Sequence, residues 1–524
     1  MWAIPKELKS SLIFKTLAVF VVLILAFAFF SSRVPFNSCE FIPYSALSLH
    51  FSPLNSLQRN AFSDMYYLAP FSNIFLPLRT YYHMGLVHSA LYFPLFALWP
   101  SPYSARLVGL AMLILQAFLV YKIFKLDFLA SFLLLLFFMP YAFQNIADTG
   151  PVSFQLTSIF FIFYLTQKWM ASLEKNEKRG WAYPLAIGIV IFLGIWAKLA
   201  YFFVLPAVSC LVFYQIAVSR KIFAFFPKPK ILIRHLAILL AAAAIPSFVL
   251  LNSKQLDSHK YFELITGSEK LNPFDIATWL GQAKLMARFL VYPLKAAHLI
   301  FDTNVNVRPE GFLWCSALAA LFITGIVILR KRKEQLGFII VNVFLFLLTF
   351  FLMTLSRRAW AMHHVVLAYP FLLLAFFSIY SKLSGGKIIR TLAIAFVAVN
   401  IGLYAHLTRL SHHDFASPAM VKINAVVNKR FADRYVCVVL EGYVYDMKVL
   451  YGNKNQCVLF LEPRFKDSEI ENLKGIMARL DRKALFVDVA GSESSLPRLK
   501  KDFPGLIRLE TDFGQGMWQI WYEK

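Results

Sequence analysis

The sequence contains few charged residues and few cysteines. Only 16% of its 524 residues are charged, with 29 acidic side chains against 53 basic ones, whereas about a quarter of the residues in a soluble domain are charged. The five cysteines show no metal-ligand spacing, which argues against a zinc-finger type of protein. The C-terminal region has no Gly-rich phosphate loop, and the chain has no repeat at a fixed period, so neither a nucleotide-binding loop nor a solenoid is indicated.

Hydrophobic residues are abundant instead. They make up 59% of the chain, and the mean hydropathy is +0.60. Many apolar runs approach 20 residues with almost no charge, and about 20 residues are enough to span about 30 Å of hydrocarbon. The sequence therefore predicts a polytopic α-helical membrane protein. The net charge of +24 fits this class better than nucleic-acid binding, because Lys and Arg cluster in short loops between apolar runs.

The basic loops predict the topology. The N-terminal run 12–30 is longer than the apolar part of a signal peptide and lacks a clean cleavage site, so we expect a retained helix that starts in the cytoplasm. Five further clusters are placed on the same side: Lys122 and Lys125; Lys168, Lys175, Lys178 and Arg179; Arg220, Lys221, Lys228 and Lys230; Arg330 to Lys333; and Lys382, Lys387 and Arg390. Eleven crossings follow, in an integral inner (plasma) membrane protein with a cytoplasmic N-terminus and an external C-terminus: 12–30, 106–121, 128–146, 152–167, 182–197, 200–218, 231–251, 313–329, 337–355, 363–381 and 391–406.

One further apolar run, 84–100, does not fit this alternation. A single extra crossing would invert every later basic loop. The run therefore either lies in the outer membrane interface or crosses together with a second helix, which brings the total to between 11 and 13 helices. His83, His88, Pro94 and Pro100 make it irregular, and irregular backbone is tolerated at membrane depth only where protein or a water-filled cavity covers it.

The predicted domains are a transmembrane domain over 1–410 and a small α/β domain on the outer face over 411–524. The outer loop 31–105 of the first domain carries the candidate site. Other outer segments are 144–151, 252–312 and 356–364. Strand-like runs of the tail are 435–440, 456–462, 483–490, 506–512 and 517–523, with a helix over 466–480. Cys437 and Cys457 lie on two of these strands and could pair in an oxidising compartment, depending on the strand register.

Two acidic residues are candidates for catalysis. Asp64 lies in the outer loop, where Glu40 is the other acid before the run 84–100. Its carboxylate could act as a general base or hold a divalent cation, or it could be a solvated residue or a helix cap. Asp148 follows an apolar run within NIADTGP. It could cap the helix that starts near Val152, and a capping carboxylate can still face a cavity.

The candidate anion-binding residues are basic. Arg357 and Arg358 lie with His363 and His364 at an outer helix end, and Lys198 interrupts the apolar sequence IWAKLAYFF. Interfacial snorkelling would explain these residues. The alternative is binding of a lipid-linked phosphate, for which Arg offers a bidentate fork and Lys a point charge.

The order of these features resembles the GT-C superfamily of membrane glycosyltransferases, in particular the branch of protein O-mannosyltransferases and lipid A aminoarabinose transferases. The matching stretches are Asp64 followed by Tyr66 and Tyr67, and then YYHMGLVHSALYFPLFAL, SPYSARLVGL, Asp148, WAKLAYFFVLPAV, HHVVLAYPFLLL and, in the tail, YVYDMKVLYGNKN. The resemblance covers nearly the whole chain. It departs from the family in a longer stretch before Asp64, which makes Glu40 with Tyr44 a rival. It also departs at Met84 and Gly85, where the family has a Lys, so Arg79 or Lys198 would substitute.

The resemblance implies a glycosyltransferase that moves a sugar from a polyprenyl-phosphate carrier to a lipid, glycan or protein acceptor on the non-cytoplasmic side of the membrane. Asp64 and Asp148 would be catalytic, and Lys198, Arg357, Arg358 and Arg79 would bind the donor phosphate. Glu40, Tyr67, His83, His363 and His364 are further candidates. No organic cofactor is implied, and a divalent cation on Asp64 or His83 stays open. The rival class is a multi-pass transporter or lipid flippase, although the chain lacks the internal symmetry that such proteins show.

Overall fold

The computed structural model describes most of the apolar helices and the sheet of the tail. The described residues are 6–33, 67–68, 76–77, 79–81, 84–85, 87–99, 102–139, 141–146, 150–175, 177–218, 229–252, 276–277, 280–281, 283–284, 308–355, 365–383, 385–410, 426–427, 429–431, 434–440, 458–460, 467–488, 496–509 and 519–524.

Helices dominate the first 410 residues. In chain order they are α1 (Lys6–Arg33), α2 (Val87–Leu98), α3 (Pro102–Phe124), α4 (Phe128–Leu136), α5 (Tyr141–Ile146), α6 (Gly150–Glu174), α7 (Ala182–Ala197), α8 (Leu205–Val218), α9 (Pro229–Asn252), α10 (Arg308–Leu329), α11 (Lys333–Leu355), α12 (Tyr369–Leu383) and α13 (Lys387–Leu410). Short 3-10 helices at Leu199–Phe203 and Val366–Ala368 precede α8 and α12. Each predicted crossing coincides with one of these helices or with a consecutive pair.

Six of the described helices are long and apolar enough to cross a membrane: 106–124, 230–251, 311–329, 333–353, 366–383 and 387–406. Shorter apolar helices cover 17–31, 182–197 and 205–218. The protein is therefore an integral membrane protein, as its composition predicts. The full set of eleven crossings and the orientation of the two termini stay predictions.

The predicted crossing 128–146 is not one continuous helix. It is divided into α4 and α5. Pro140 lies between them in the sequence, and a proline lacks the N–H that a helix interior needs and disfavours the preceding turn. Asn400 of α13 stabilises the break: its side-chain oxygen accepts from the backbone nitrogen of Met139 at 3.0 Å and from the indole of Trp314 at 3.1 Å. The ring of Phe138 packs edge-on against Trp314. The distant helices α10 and α13 thus hold the interruption in place.

The apolar run 84–100 forms strand β4 (Met84–Gly85) and the 12-residue helix α2. A helix of that length is about 18 Å long, well short of the about 30 Å of a hydrocarbon core. Pro94 lies inside it. The structure therefore favours the expectation that this run does not cross the membrane alone.

Contacts among the residues divide the chain into two compact units. The first comprises 1–34, 109–252 and 259–412, and the second comprises 35–108, 253–258 and 413–524. Residues 35–108 and the tail thus belong to the same unit. The boundary between domains near residue 410 stays a prediction.

The tail contains a five-stranded mixed sheet. Its strands are β5 (Tyr435–Leu440), β6 (Val458–Phe460), β7 (Lys483–Asp488), β8 (Leu506–Arg508) and β9 (Gln519–Glu523), in the order β6-β5-β7-β9-β8. Strands β5, β6 and β7 run parallel, and β9 is antiparallel to both β7 and β8. Helices cover 467–480 and 496–502. All five predicted strands and the predicted helix are present, so the small α/β domain is confirmed.

The core of this sheet is apolar on the central strand. Residues 484–487 of β7 are buried, as are Ile520 and Trp521 of β9. The phenol of Tyr435 donates a hydrogen bond to the backbone oxygen of Glu523 at 3.2 Å. Burial raises the pKa of Tyr435, so the phenol stays a neutral donor at physiological pH.

Candidate active site

The structure describes the side chain of one of the predicted site residues, Lys198. Arg79 and Tyr67 are described through their backbone alone. Tyr67 lies on β1 (Tyr67–Leu68) opposite Pro77 of β2 (Leu76–Pro77), and Arg79 lies on β3 (Arg79–Tyr81) opposite Gly85 of β4. The remaining predicted residues lie outside the described ranges: Glu40, Asp64, His83, Asp148, Arg357, Arg358, His363 and His364.

Lys198 occupies an interruption between two helical segments. Helix α7 ends at Ala197, and Lys198 adopts an extended backbone with φ −158° and ψ 130° before the 3-10 helix begins at Leu199. The residue is 5% exposed. An ionisable residue inside a membrane segment is costly and by default a candidate for function.

Gln155 of α6 donates to two backbone carbonyls at this interruption. Its side-chain nitrogen donates to the backbone oxygen of Gly194 at 2.9 Å and to that of Lys198 at 2.8 Å. The two acceptors lie on either side of the point where α7 ends. Gln155 is itself fully buried, and buried hydrogen bonds of this kind are expensive to lose. One side chain of α6 therefore fixes the backbone that carries Lys198.

A second contact from α6 lies one helical turn further along. Ser158 Oγ donates to the backbone oxygen of Gln155 at 2.6 Å and lies 2.7 Å from the hydroxyl of Tyr201. Since a serine hydroxyl has one proton, Tyr201 is the donor in the second bond. Gly194 makes room for this arrangement, because a Cβ at that position would lie 2.7 Å from the Tyr201 ring.

The residues flanking Asp148 form a separate buried polar network. Gln116 of α3 donates to Thr157 of α6 at 2.8 Å, and its amide oxygen accepts from Tyr141 at 2.6 Å and from Asn145 at 3.0 Å. Ser153 of α6 donates to the backbone oxygen of Asn145 at 2.8 Å. All five side chains are buried. Asn145 and Ser153 stand on either side of residues 147–149, so the network fixes both ends of the segment that contains Asp148.

Helix α6 connects the two arrangements. It begins at Gly150, two residues after Asp148, and Gln155 contacts Lys198 from its second turn. Five residues of α helix rise about 7.5 Å. Gln155 therefore lies about that distance along the helix axis from the start of α6.

Sequence reasoning missed Gln155, Gln116 and Asn145. A signal for the first was present: Ser153, Gln155, Thr157 and Ser158 are four polar residues at the start of the otherwise apolar run 152–167. Arg106, named only as part of a family stretch, is fully buried near the start of α3. Within the described ranges, no group of three or more His, Cys, Asp or Glu side chains could hold a metal ion. The divalent cation on Asp64 or His83 stays a prediction.

Comparisons with known proteins bear on the fold. No protein-family model matches the chain, and no curated protein matches it. Among solved structures, the chain is similar to ArnT from Cupriavidus metallidurans bound to undecaprenyl phosphate, with a TM-score of 0.58, 11% identity and 98% of each chain covered.

Two further structures are more distant. The apo state of the same ArnT gives a TM-score of 0.42 at 9% identity, with 99% of each chain covered. An oligosaccharyltransferase from Archaeoglobus fulgidus, in complex with Zn and sulfate, gives 0.42 at 15% identity, covering 93% of this chain and 71% of the other. The similarity to the ArnT complex extends over nearly the whole chain, and this protein therefore has the fold of the GT-C membrane glycosyltransferases.

Proposed function

We propose that the protein is a glycosyltransferase that moves one sugar from a polyprenyl-phosphate carrier to an acceptor on the non-cytoplasmic side of the membrane. The observation that carries the proposal is the buried Lys198, which is held at a helix break within a fold shared with the ArnT complex. That structure of ArnT contains undecaprenyl phosphate, a ligand with an anionic head on an apolar chain. A buried cation in an apolar helix bundle is chemically suited to such a ligand.

The proposed reaction is a substitution at the anomeric carbon of the sugar. An acceptor hydroxyl loses its proton to a carboxylate, and its oxygen lone pair forms the new bond to C1. The bond between C1 and the phosphate oxygen breaks, and its electron pair stays on the phosphate. The products are the glycosylated acceptor and the polyprenyl phosphate monoester, which carries one more negative charge than the phosphate diester of the donor.

The residues take their roles from this charge balance. Asp64 is assigned as the base, or as the ligand of a cation that assists it, and Glu40 remains its rival. Asp148 orients the acceptor or the donor. Lys198 is assigned to the phosphate, where a fixed positive charge stabilises the charge that develops as the leaving group departs. Arg357, Arg358 and Arg79 are assigned to the same phosphate.

Four further candidates have less specific roles. Tyr67 and His83 belong to the outer loop with Asp64, and His83 is the second residue proposed for a cation. His363 and His364 accompany the Arg pair. The donor class is a polyprenyl-phosphate sugar, and the acceptor is a lipid, a glycan or a protein.

The assay that tests the proposal uses purified protein with a panel of polyprenyl-phosphate hexoses and pentoses and an acceptor fraction from membranes. Release of polyprenyl phosphate that depends on the acceptor supports a transferase. The competing transporter or flippase would move a labelled lipid-linked sugar across sealed vesicles without breaking the sugar–phosphate bond. Translocation without release would overturn the proposal.

A further inference from the structure

We propose that Gln155 is a positioning residue for Lys198, which sets the direction of the lysine side chain toward the donor phosphate. The proposal deepens the function given above and rests on it, since it takes Lys198 to bind that phosphate. It adds a residue that contacts neither the donor nor the acceptor, and acts through the backbone of the lysine.

The two hydrogen bonds of Gln155 fix the orientation of its own amide. A side-chain amide has two N–H protons on one side and two lone pairs on the other. Both partners here, the backbone oxygens of Gly194 and Lys198, are acceptors, so the nitrogen must face them. The reversed amide would place its oxygen against two carbonyl oxygens. The geometry therefore uses both protons of the amide and admits one orientation.

Those bonds determine where the lysine side chain starts. Gly194 O also accepts from Lys198 N at 3.3 Å, and Lys198 O also accepts from Tyr201 N at 3.0 Å. Without Gln155, the helix break at Lys198 would lose two of the hydrogen bonds that hold its backbone in the extended conformation. The residue could then continue the helix of α7 or extend the 3-10 turn, and each change would rotate the Cα–Cβ bond of Lys198 away from its present direction.

A purely structural explanation of Gln155 predicts a different pattern. If the amide only stabilised helix packing, an apolar side chain of similar volume would fill the same space. The substitution would then change the stability of the fold and not the affinity for the phosphate in particular. The amide oxygen of Gln155 has no hydrogen-bond partner among the described residues. Gln155→Met therefore removes the two donated bonds and keeps the volume, so it isolates the effect of those bonds on Lys198.

The test measures the binding of two ligands to full-length purified protein. One is a polyprenyl phosphate and the other is the matching polyprenol, which has the same chain without the phosphate. We expect Gln155→Met to weaken binding of the phosphate about tenfold, the scale of one lost buried hydrogen bond, and to leave the affinity for polyprenol within about twofold. Thr166→Val is the matched control on α6, because it removes a buried hydroxyl bond, to Ile162 at 2.8 Å, far along the helix. It should change neither affinity.

The decisive measurement is a double-mutant cycle with Lys198→Met. If Gln155 acts through Lys198, the double variant binds the phosphate no more weakly than Lys198→Met alone. Additive losses, or an equal loss of polyprenol binding, would mean that Gln155 supports packing and would overturn the proposal. Should Gln155→Met fail to fold, Gln155→Asn keeps the amide and shortens its reach, with the same expected pattern.

The phosphate-binding role of Lys198 and the positioning role of Gln155 can be disproved independently. If Lys198→Met leaves the affinity for polyprenyl phosphate unchanged, the assignment of the lysine to the phosphate is wrong, and this proposal falls with it. If Lys198→Met weakens binding while Gln155→Met does not, the positioning role alone is wrong and the proposed function stands.

Discussion

Ser153 donates a hydrogen bond to the backbone oxygen of Asn145 at 2.8 Å and thereby joins the first turn of α6 to the end of α5. Three residues, 147–149, lie between α5 and α6, and the middle one is Asp148. The segment that carries this acid is thus tied at both ends to buried polar side chains.

The first prediction concerns Asp148. Asp148→Asn should lower turnover by about ten- to a hundredfold, because the amide keeps the shape but loses the charge that orients donor or acceptor. Membrane insertion and thermal stability should change little. The measurement is release of polyprenyl phosphate by purified variant and parent, with Thr166→Val as the control on the same helix. Full activity in Asp148→Asn would leave the residue with a capping role.

The second prediction concerns Lys198, Arg357 and Arg358. Removing the positive charge at any one of them should cost roughly ten- to a thousandfold in rate, the scale of one lost electrostatic contact to developing charge. Lys122→Met is a suitable control, since that lysine lies over the rings of Phe118 and Tyr121 on α3, at the predicted cytoplasmic end. Little change in rate after all three substitutions would show that these residues merely anchor helix ends.

The third prediction concerns topology. A reporter fused after Lys524 should report an external location, and one inserted after Lys178 a cytoplasmic one, because the basic loops are expected to stay inside. The five-stranded sheet would then lie on the same side as Asp64. A cytoplasmic C-terminus would contradict the topology and the assignment of the site with it.

The fourth prediction concerns Cys437 and Cys457. Cys437 lies on β5, one residue before Val438, which pairs with Val458 of β6. Cys457 lies outside the described residues, one position before Val458 in the sequence. Neighbouring strands are about 4.8 Å apart, within the range of Cα separations that a disulfide tolerates. If the register continues by one residue and the tail is external, we expect the two thiols to pair.

Peptide mapping by mass spectrometry under non-reducing conditions tests this pairing. A peptide pair joined through Cys437 and Cys457 is the expected product. Neither Cys210 nor Cys315 forms a disulfide within the described part of the chain, so both serve as internal controls for alkylation. Full alkylation of Cys437 in protein taken from an oxidising compartment would contradict the prediction.

The helices and the sheet could be predicted from the sequence because their signals are local. Apolar runs gave the positions of the helices, and alternating or apolar strand-like runs gave all five strands of the tail. Lys198 could be singled out for the same reason, since one charge in an apolar run is visible without any tertiary contact.

The contacts that hold the site could not be predicted in this way. Gln155 is 43 residues from Lys198, and Asn400 is 261 residues from Met139. Pairings over such distances depend on which helices pack together, and hydrophobic patterning specifies the buried face of a helix but not its partner. The interruption of the run 128–146 is easier to predict from the sequence, because Pro140 lies within that run.

The central claim is sugar transfer supported by one carboxylate in the first outer loop, and it is tested most directly by comparing Asp64→Asn with Glu40→Gln. The measurement is acceptor-dependent release of polyprenyl phosphate from a polyprenyl-phosphate sugar by each purified variant and the parent. We expect release by the parent, no release by Asp64→Asn with donor binding retained, and nearly normal release by Glu40→Gln. The reverse ranking would assign the base to Glu40, and equal release by all three proteins would contradict the glycosyltransferase account.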